Sequence, residues 1–370
     1  MKKYNRKKQV LFLSLFLTIG VVFLFLPSIF SNYPKEAEYY ARHIFPVLSK
    51  PLVFFASILP FSLTEILLYI LVLGLPVGGI FLLIRFIKSK NKLDFITRFF
   101  FSFSIFFLVL SFAFSSMMGM NYSRYPLSDR LFPEKRERSK EELLEVTMWL
   151  AEMTSELRLL QAEDEHGIMT LDSSLSAALV EGSTAMNAAA DVFPILAGND
   201  ARGKSVMISK YWSYTGITGM YMPFLGEANV NTDVPAIGLL HTICHELSHI
   251  RGIAREQDAN LAGFLACIYS PRVDFQYSGY QFAYVYCASD LYRADEEAYA
   301  EAAALISDEV WRDWANRTSY WKQFEGPVQE VSTQVNDTYL QANRQKEGVL
   351  TYSMVTELIV EYYFSYVKGA

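Results

Sequence analysis

His245-Glu246-Leu247-Ser248-His249 holds the residues whose types and spacing carry chemistry in this chain. On a helix, positions four apart project from one face. Two neutral imidazoles placed in this way can bind one divalent zinc ion. Glu246 stands beside the first of them, where a carboxylate can take a proton from a metal-activated water. The implied reaction is attack of that water on a carbonyl.

The flanks predict the helix that this geometry needs. Asp233 and Pro235 suit a helix start. Ile237, Leu240, Cys244, Leu247 and Ile250 recur with a helical apolar period, and Gly252 supplies a stop. A third ligand is expected just after the turn. Glu256 opens a second helical run whose Ala259, Ala262, Gly263 and Ala266 form a small-residue face. Such a face lets two helices approach closely, so a short acidic side chain can reach the metal. Asn260, one turn on, is placed to hold a ligating imidazole as a supporting partner. Asp258 offers the same ligand chemistry but points away from that face. Arg255 occupies the position of the third histidine in the H-E-x-x-H-x-x-G-x-x-H pattern, and a guanidinium cannot ligate zinc.

Three further residues are candidates. His241 lies one turn before His245 on the same face; it is either a supporting group near the metal or a core histidine bonded to a carbonyl. Tyr277 and Tyr280 carry hydroxyls of the kind that stabilise a tetrahedral intermediate. His166, in a polar stretch without ligand spacing, reads as a surface residue.

The run from His245 to Asn260 resembles the core of the bacterial domain-of-unknown-function 3810 family, grouped with zinc metallopeptidases of the Glu-zincin type. Met120-Asn-Tyr-Ser-Arg-Tyr-Pro-Leu127, Tyr277-Ser-Gly-Tyr280 and Asn336-Asp-Thr-Tyr-Leu-Gln-Ala-Asn343 resemble that family too. The resemblance spans most of the chain. It implies a membrane-anchored, mostly helical metallopeptidase-like domain. It also implies His245, His249 and Glu256 as ligands and Glu246 as base. The Glu-zincin pattern often has Asp where this chain has Asn260; an amide can still hold an imidazole but polarises it less.

These residues must be positioned by a chain whose apolar mass lies in its first third. Three runs, 10–30, 63–84 and 99–118, are long enough to span a bilayer. Pro51 to Phe61 is too short and reads as interfacial or re-entrant. Lys2, Lys3, Arg6, Lys7 and Lys8 precede the first run, and Arg85, Lys88, Lys90, Lys92 and Arg98 lie between the second and third. Basic flanks mark the cytoplasmic side, so residues 1–120 form a membrane domain and 121–370 an extracytoplasmic one. The first run has no small-x-small cleavage site and reads as a retained anchor. The net charge of -6 and the lack of a basic tract with interleaved aromatics argue against a nucleic-acid partner. The odd count of three cysteines, Cys244, Cys267 and Cys287, argues against a disulfide framework, though one pair is free to oxidise; Cys244 and Cys267 read as small buried hydrophobes.

Beyond the membrane, Asn121 to Pro133 reads as a polar linker. Ser139 to Glu142 is a capping-box pattern opening a helix to about Glu163. A second helix is expected over 171–192. Lys204–Lys210 and Tyr214–Val230 are the strand candidates. Gly226–Val230, just before the metal helix, is either a substrate-binding edge strand or part of a structural hairpin. Helices are expected over 282–292, 294–306, 308–324 and 327–343, with a last one capped by Thr351 or Ser353 and ending near Val367. The expected fold is mainly α: three transmembrane helices, then a zincin-like domain with a small hairpin or sheet beside the metal helix. The expected function is a zinc metallopeptidase at the bilayer acting on envelope proteins or peptides. Its rival is a non-catalytic metal-binding scaffold of the envelope.

Overall fold

The computed structural model describes residues 6–132, 138–343 and 352–369. The chain is mainly helical and begins with α1 (Arg6–Phe30). Next comes α2 (Pro34–Tyr39), which runs through a π-helical turn into α3 (Phe45–Ile58). Two long helices follow, α4 (Leu63–Lys88) and α5 (Lys92–Met117). α1, α4 and α5 are long and apolar enough to cross a membrane, which makes the chain a membrane protein. Lys2 and Lys3 of the basic flank lie outside the described residues.

α1 and α5 pair along their length, with Phe16 on Phe101 and Phe23 on Phe112. The ends of α1 and α5 and the start of α4 all meet the polar domain. α3 contains most of the short apolar run and has two unlike faces. Val47, Phe54, Phe55 and Ile58 are exposed, whereas Phe45, Ser49, Val53 and Ala56 are buried against the domain. A helix with one bare apolar face beside three spans has the form expected of an interfacial or re-entrant segment.

The stretch expected to be a polar linker is instead largely buried. It forms a 3₁₀ helix (Gly119–Ser123) and α6 (Leu127–Leu131), and Asn121, Tyr122, Ser123 and Arg124 are all buried. Ser123 and Arg124 bond to other parts of the protein. Ser123 Oγ donates to Pro27 O, and Arg124 pairs with Glu38 through two bonds of 2.9 and 3.0 Å while also donating to Gly252 O. Breaking a buried ion pair from one side leaves the other charge stranded, at a cost of about 3–5 kcal/mol. Arg124→Ala is therefore expected to lower the unfolding temperature of the purified protein in detergent by several degrees. An unchanged melting curve would show that this clamp contributes nothing.

α7 (Lys140–Arg158) opens with the expected capping box, Ser139 and Glu142 satisfying each other's backbone N–H groups. It ends before Glu163, which bridges to Met169 instead. α8 (Leu175–Val192) starts later than expected, at its cap Ser174. A three-stranded sheet follows, made of β1 (Gly203–Ser205), β2 (Gly219–Met222) and β3 (Glu227–Val230), with α9 (Ser209–Ser213) between the first two. The order is β1-β3-β2, β3 pairing parallel to β1 and antiparallel to β2. Of the two readings of Gly226–Val230 the hairpin holds, since β3 is antiparallel to β2, and the edge strand does not, since β3 is the middle of the sheet with both sides of its ladder filled. The strand run 204–210 is only three residues long before Ser209 turns it into a helix.

The sheet ties down the end of α3 and the start of α4. Glu227 accepts the N–H groups of Leu63 and Thr64 and the Thr64 hydroxyl, so a carboxylate caps the positive end of α4. Lys204 Nζ donates to the Ala56 and Leu59 carbonyls at the negative end of α3. Glu65, expected at the edge of its span, accepts Met207 N–H and Ile208 N–H.

α10 (Ala236–Ile250) runs through the middle of the core, packed on the sheet, on α8, on α11 (Glu256–Ile268) and on α12 (Val273–Ala294). Pro235, not Asp233, stands at its N-cap, and Asp233 accepts the Tyr320 hydroxyl instead. α12 begins nine residues before Phe282, so Tyr277-Ser-Gly-Tyr280 lies inside it. α13 (Glu296–Ala303), α14 (Asp308–Lys322), α15 (Pro327–Ala342) and α16 (Tyr352–Tyr362) complete the bundle. The last continues as a π-helical turn to Val367; Thr351 lies outside the described residues.

Candidate metal centre

α10 places His245 and His249 on one face, as their spacing requires. Gly252 then ends the helix at φ 81°, with its N–H and that of Ile253 bonded back to His249 and Ser248. The turn returns the chain so that Glu256, at the start of α11, faces both histidines. His245 Nε2 lies 3.2 Å from one Glu256 oxygen, His249 Nε2 lies 3.7 Å from the other, and the two Nε2 atoms are 3.2 Å apart. Among the described residues these three form the one group whose ligand atoms could hold a metal.

The geometry and chemistry of this donor set fit zinc. Ligand bonds of about 2.0–2.1 Å at tetrahedral angles put neighbouring donor atoms roughly 3.3 Å apart. Both imidazoles also have their other nitrogen engaged. His245 Nδ1 lies 2.8 Å from Asn260 Oδ1, and His249 Nδ1 lies 2.7 Å from Ile253 O. Both partners are acceptors, so each Nδ1 carries the proton and each Nε2 offers its lone pair inward. The small-residue face of α11 makes the approach possible: a Cβ on Gly263 would sit 3.2 Å from His245 N.

Electrostatics divide the group. Burial drops His249 to about 4. Burial pushes His245 the same way, but the Glu256 carboxylate outweighs it and holds His245 up at about 9. The Glu256 carboxylate thus favours a proton on His245, and a metal ion competes with that proton. Zinc affinity is expected to rise roughly ten-fold or more per pH unit between about pH 6 and 8, because at least one proton leaves for each ion bound. Competition titration against a zinc chelator at several pH values measures this, and a flat profile would contradict it.

Glu246 sits on the sheet side of the ligands. A Cβ on Gly219 would come within 2.4 Å of its Oε1, so the glycine leaves room for the carboxylate. It takes a bond from the Tyr221 backbone N–H, while its Oε2 is buried without a protein partner. Burial pushes it up to about 8. The Tyr221 ring stacks on His249, 6.0 Å between centroids. The strand beside the metal residues is therefore β2, an edge strand, and not β3.

The other candidates fall in different places. Asn260 is at the site in the expected role. His241 stacks on Phe282, bonds through Nε2 to the Asn260 carbonyl and lies with its ring 6.3 Å from that of His245, outside the group of converging donor atoms. Tyr277 and Tyr280 are not brought to the centre. The Tyr277 hydroxyl donates to Asp313 in a buried network with Arg158, and Tyr280 packs against Trp149 and Phe264. The face of α12 toward α10 carries Ser278 and Phe282 instead. Asp258 accepts the Leu127 N–H, and Arg255 donates to the carbonyls of Tyr122 and Arg124. His166 is exposed beside Glu165, and the three cysteines are buried thiols.

Two residues went unassigned in the sequence reading. Tyr122, in the 3₁₀ helix after α5, has its hydroxyl 3.5 Å from that of Tyr339 on α15. Burial raises both phenols, and the nearby Glu256 charge raises them further. Each lies within a segment that carried the family resemblance, 120–127 or 336–343. The description "protein of unknown function (DUF3810)" matches residues 40–360, which is most of the chain. The chain belongs to the DUF3810 family. No curated protein and no solved structure matches it. This DUF3810 chain thus brings three separated segments, around residues 122, 245–260 and 339, to a single place.

Proposed function

We propose that this DUF3810 protein is a membrane-anchored zinc metallopeptidase that hydrolyses peptide bonds in proteins of the cell envelope, with residues 121–370 on the extracytoplasmic side. One observation carries the reading: His245, His249 and Glu256 converge through their donor atoms, with the Glu246 carboxylate beside them. Zinc bound there would activate a water and polarise a carbonyl. The chain's own residues supply the rest. Glu246, poised near neutrality by burial, accepts the proton of the attacking water and returns it to the leaving amine. Asn260 and the Ile253 carbonyl keep the imidazoles in the ligating tautomer. Tyr122 and Tyr339 put two phenol hydroxyls near Glu256, donors of the kind that would stabilise an oxyanion. A scaffold would have no use for Glu246 Oε2, a buried carboxylate oxygen with no protein partner.

The test is proteolysis of a randomised peptide pool by the purified full chain, read by mass spectrometry. Cleavage that stops on chelation and returns with zinc supports the reading. A folded, zinc-loaded protein that cuts nothing in the pool or in unfolded envelope proteins would refute it.

A further inference from the structure

α3 is the element that relates the centre to the bilayer. Its bare face carries Val47, Phe54, Phe55 and Ile58. Its buried face touches the turn between the ligand helices and the turn of the sheet beside them. Phe45 packs on Gly252, the turn between the ligand helices, and Val53 packs on Gly226, the turn between β2 and β3. A helix is roughly 10–12 Å across. Both turns therefore lie about one helix diameter from lipid.

Two other contacts agree. The 3₁₀ helix carrying Tyr122 packs on α1 at Pro27, before α1 ends at Phe30. The Tyr40 hydroxyl donates to Ser116 O in the last turn of α5. The direction of β2 is fixed as well. Its Gly219 end lies against Glu246, and its Met222 end pairs with Glu227, the residue that caps α4 where that span begins. β2 thus descends from the base to the membrane surface. An extended chain paired along its outer edge would have one end at the bilayer.

We propose that the substrates are polypeptides themselves anchored in the bilayer, cut in the first few residues beyond their membrane segment. The proposal rests on the hydrolase reading and names its substrate class. At about 3.3 Å per residue, three or four extended residues cover the thickness of α3. A polypeptide is favoured over a lipid because what stands beside Glu246 is a strand edge, which pairs with backbone.

The experiment uses the full chain, zinc-loaded, in phosphatidylcholine and phosphatidylglycerol vesicles. The probe is a pool of single-span polypeptides with randomised stalks of about forty residues, anchored with the stalk on the side of residue 121. A second pool carries a rigid helical spacer of about twenty residues, roughly 30 Å, between span and stalk. Both pools share the membrane, so local concentration is equal. Cuts should cluster within about ten residues of the span, and the spacer should slow cutting of the stalk at least about ten-fold. A second readout needs no turnover. Glu246→Gln carrying a photo-crosslinking residue in place of Met220 on β2 should capture the same membrane-proximal stretch.

Equal cutting of both pools, or crosslinks spread evenly along the stalk, would overturn the proposal and leave the hydrolase reading intact. Release of lipid fragments with both stalks whole would overturn it in favour of a lipid substrate. No cutting of any probe, with zinc bound, would overturn the hydrolase reading and this proposal together.

Discussion

Glu256→Ala is expected to empty the metal centre. The substitution removes the carboxylate of the proposed ligand set and leaves two imidazoles, which hold a divalent ion weakly on their own. Because loss of a mere supporting partner already costs about 10–100-fold in affinity, loss of a ligand should exceed about 100-fold. Zinc measured by elemental analysis on protein equilibrated with buffered zinc should fall from near one ion per chain to a small fraction. The fold should survive. Glu256 is the largest of the groups that favour a proton on His245, so its loss lets burial press the imidazole toward the neutral form and works against a stranded buried cation. Unfolding temperatures in chelator should therefore be close for variant and parent. Zinc retained at parental affinity would move the third ligand elsewhere, and Asp258 would be tested next, although its carboxylate already accepts the Leu127 N–H.

The contrast between Glu256 and Tyr122 shows which parts of the centre were legible in the sequence. His245, His249, Gly252, Glu256 and Asn260 lie on two consecutive helices joined by one turn. Helical spacing and a glycine stop fix their relation locally, so residue types and intervals suffice. Tyr122 and Tyr339 reach Glu256 only through the path of the whole chain, around α1, α5 and α15. Their segments resembled the family without revealing a role. The error over the sheet edge has the same origin. A single run of β-prone residues precedes α10, and local pattern marks its last strand as the one nearest the metal. The parallel pairing of three-residue β1 on the far side of β3 is a long-range event with no local signal.

Helical phase explains the two tyrosines. A helix expected only from Phe282 onward leaves the direction of Tyr277 and Tyr280 unconstrained. Once α12 begins at Val273, Ser278 and Phe282 take the face toward α10, and both tyrosines turn to the core. The linker misreading is one of partners. Asn121 to Pro133 is polar because Arg124 and its neighbours satisfy the Gly252 turn, Glu38 and the end of α1, and composition alone does not separate polar groups that meet water from polar groups that meet protein.

Glu246→Gln should behave in the opposite way to Glu256→Ala: full metal, no turnover. Glutamine has the shape to fill the space left by Gly219 and can still accept the Tyr221 N–H through its amide oxygen. It cannot take a proton at neutral pH. General-base catalysis contributes on the order of 10²–10⁴ in rate, so hydrolysis should fall by about 10³ or more while zinc content stays at the parental level. The pH response separates this role from a structural one. Burial raises the Glu246 carboxyl, and a bound cation pulls it back down, so parental activity should rise as pH passes upward through the loaded-state value and the base ionises. Residual activity of the glutamine variant should lack that limb. A variant that loses zinc along with activity would place Glu246 among the ligands; one that keeps both would remove it from the reaction and leave the metal centre without a base.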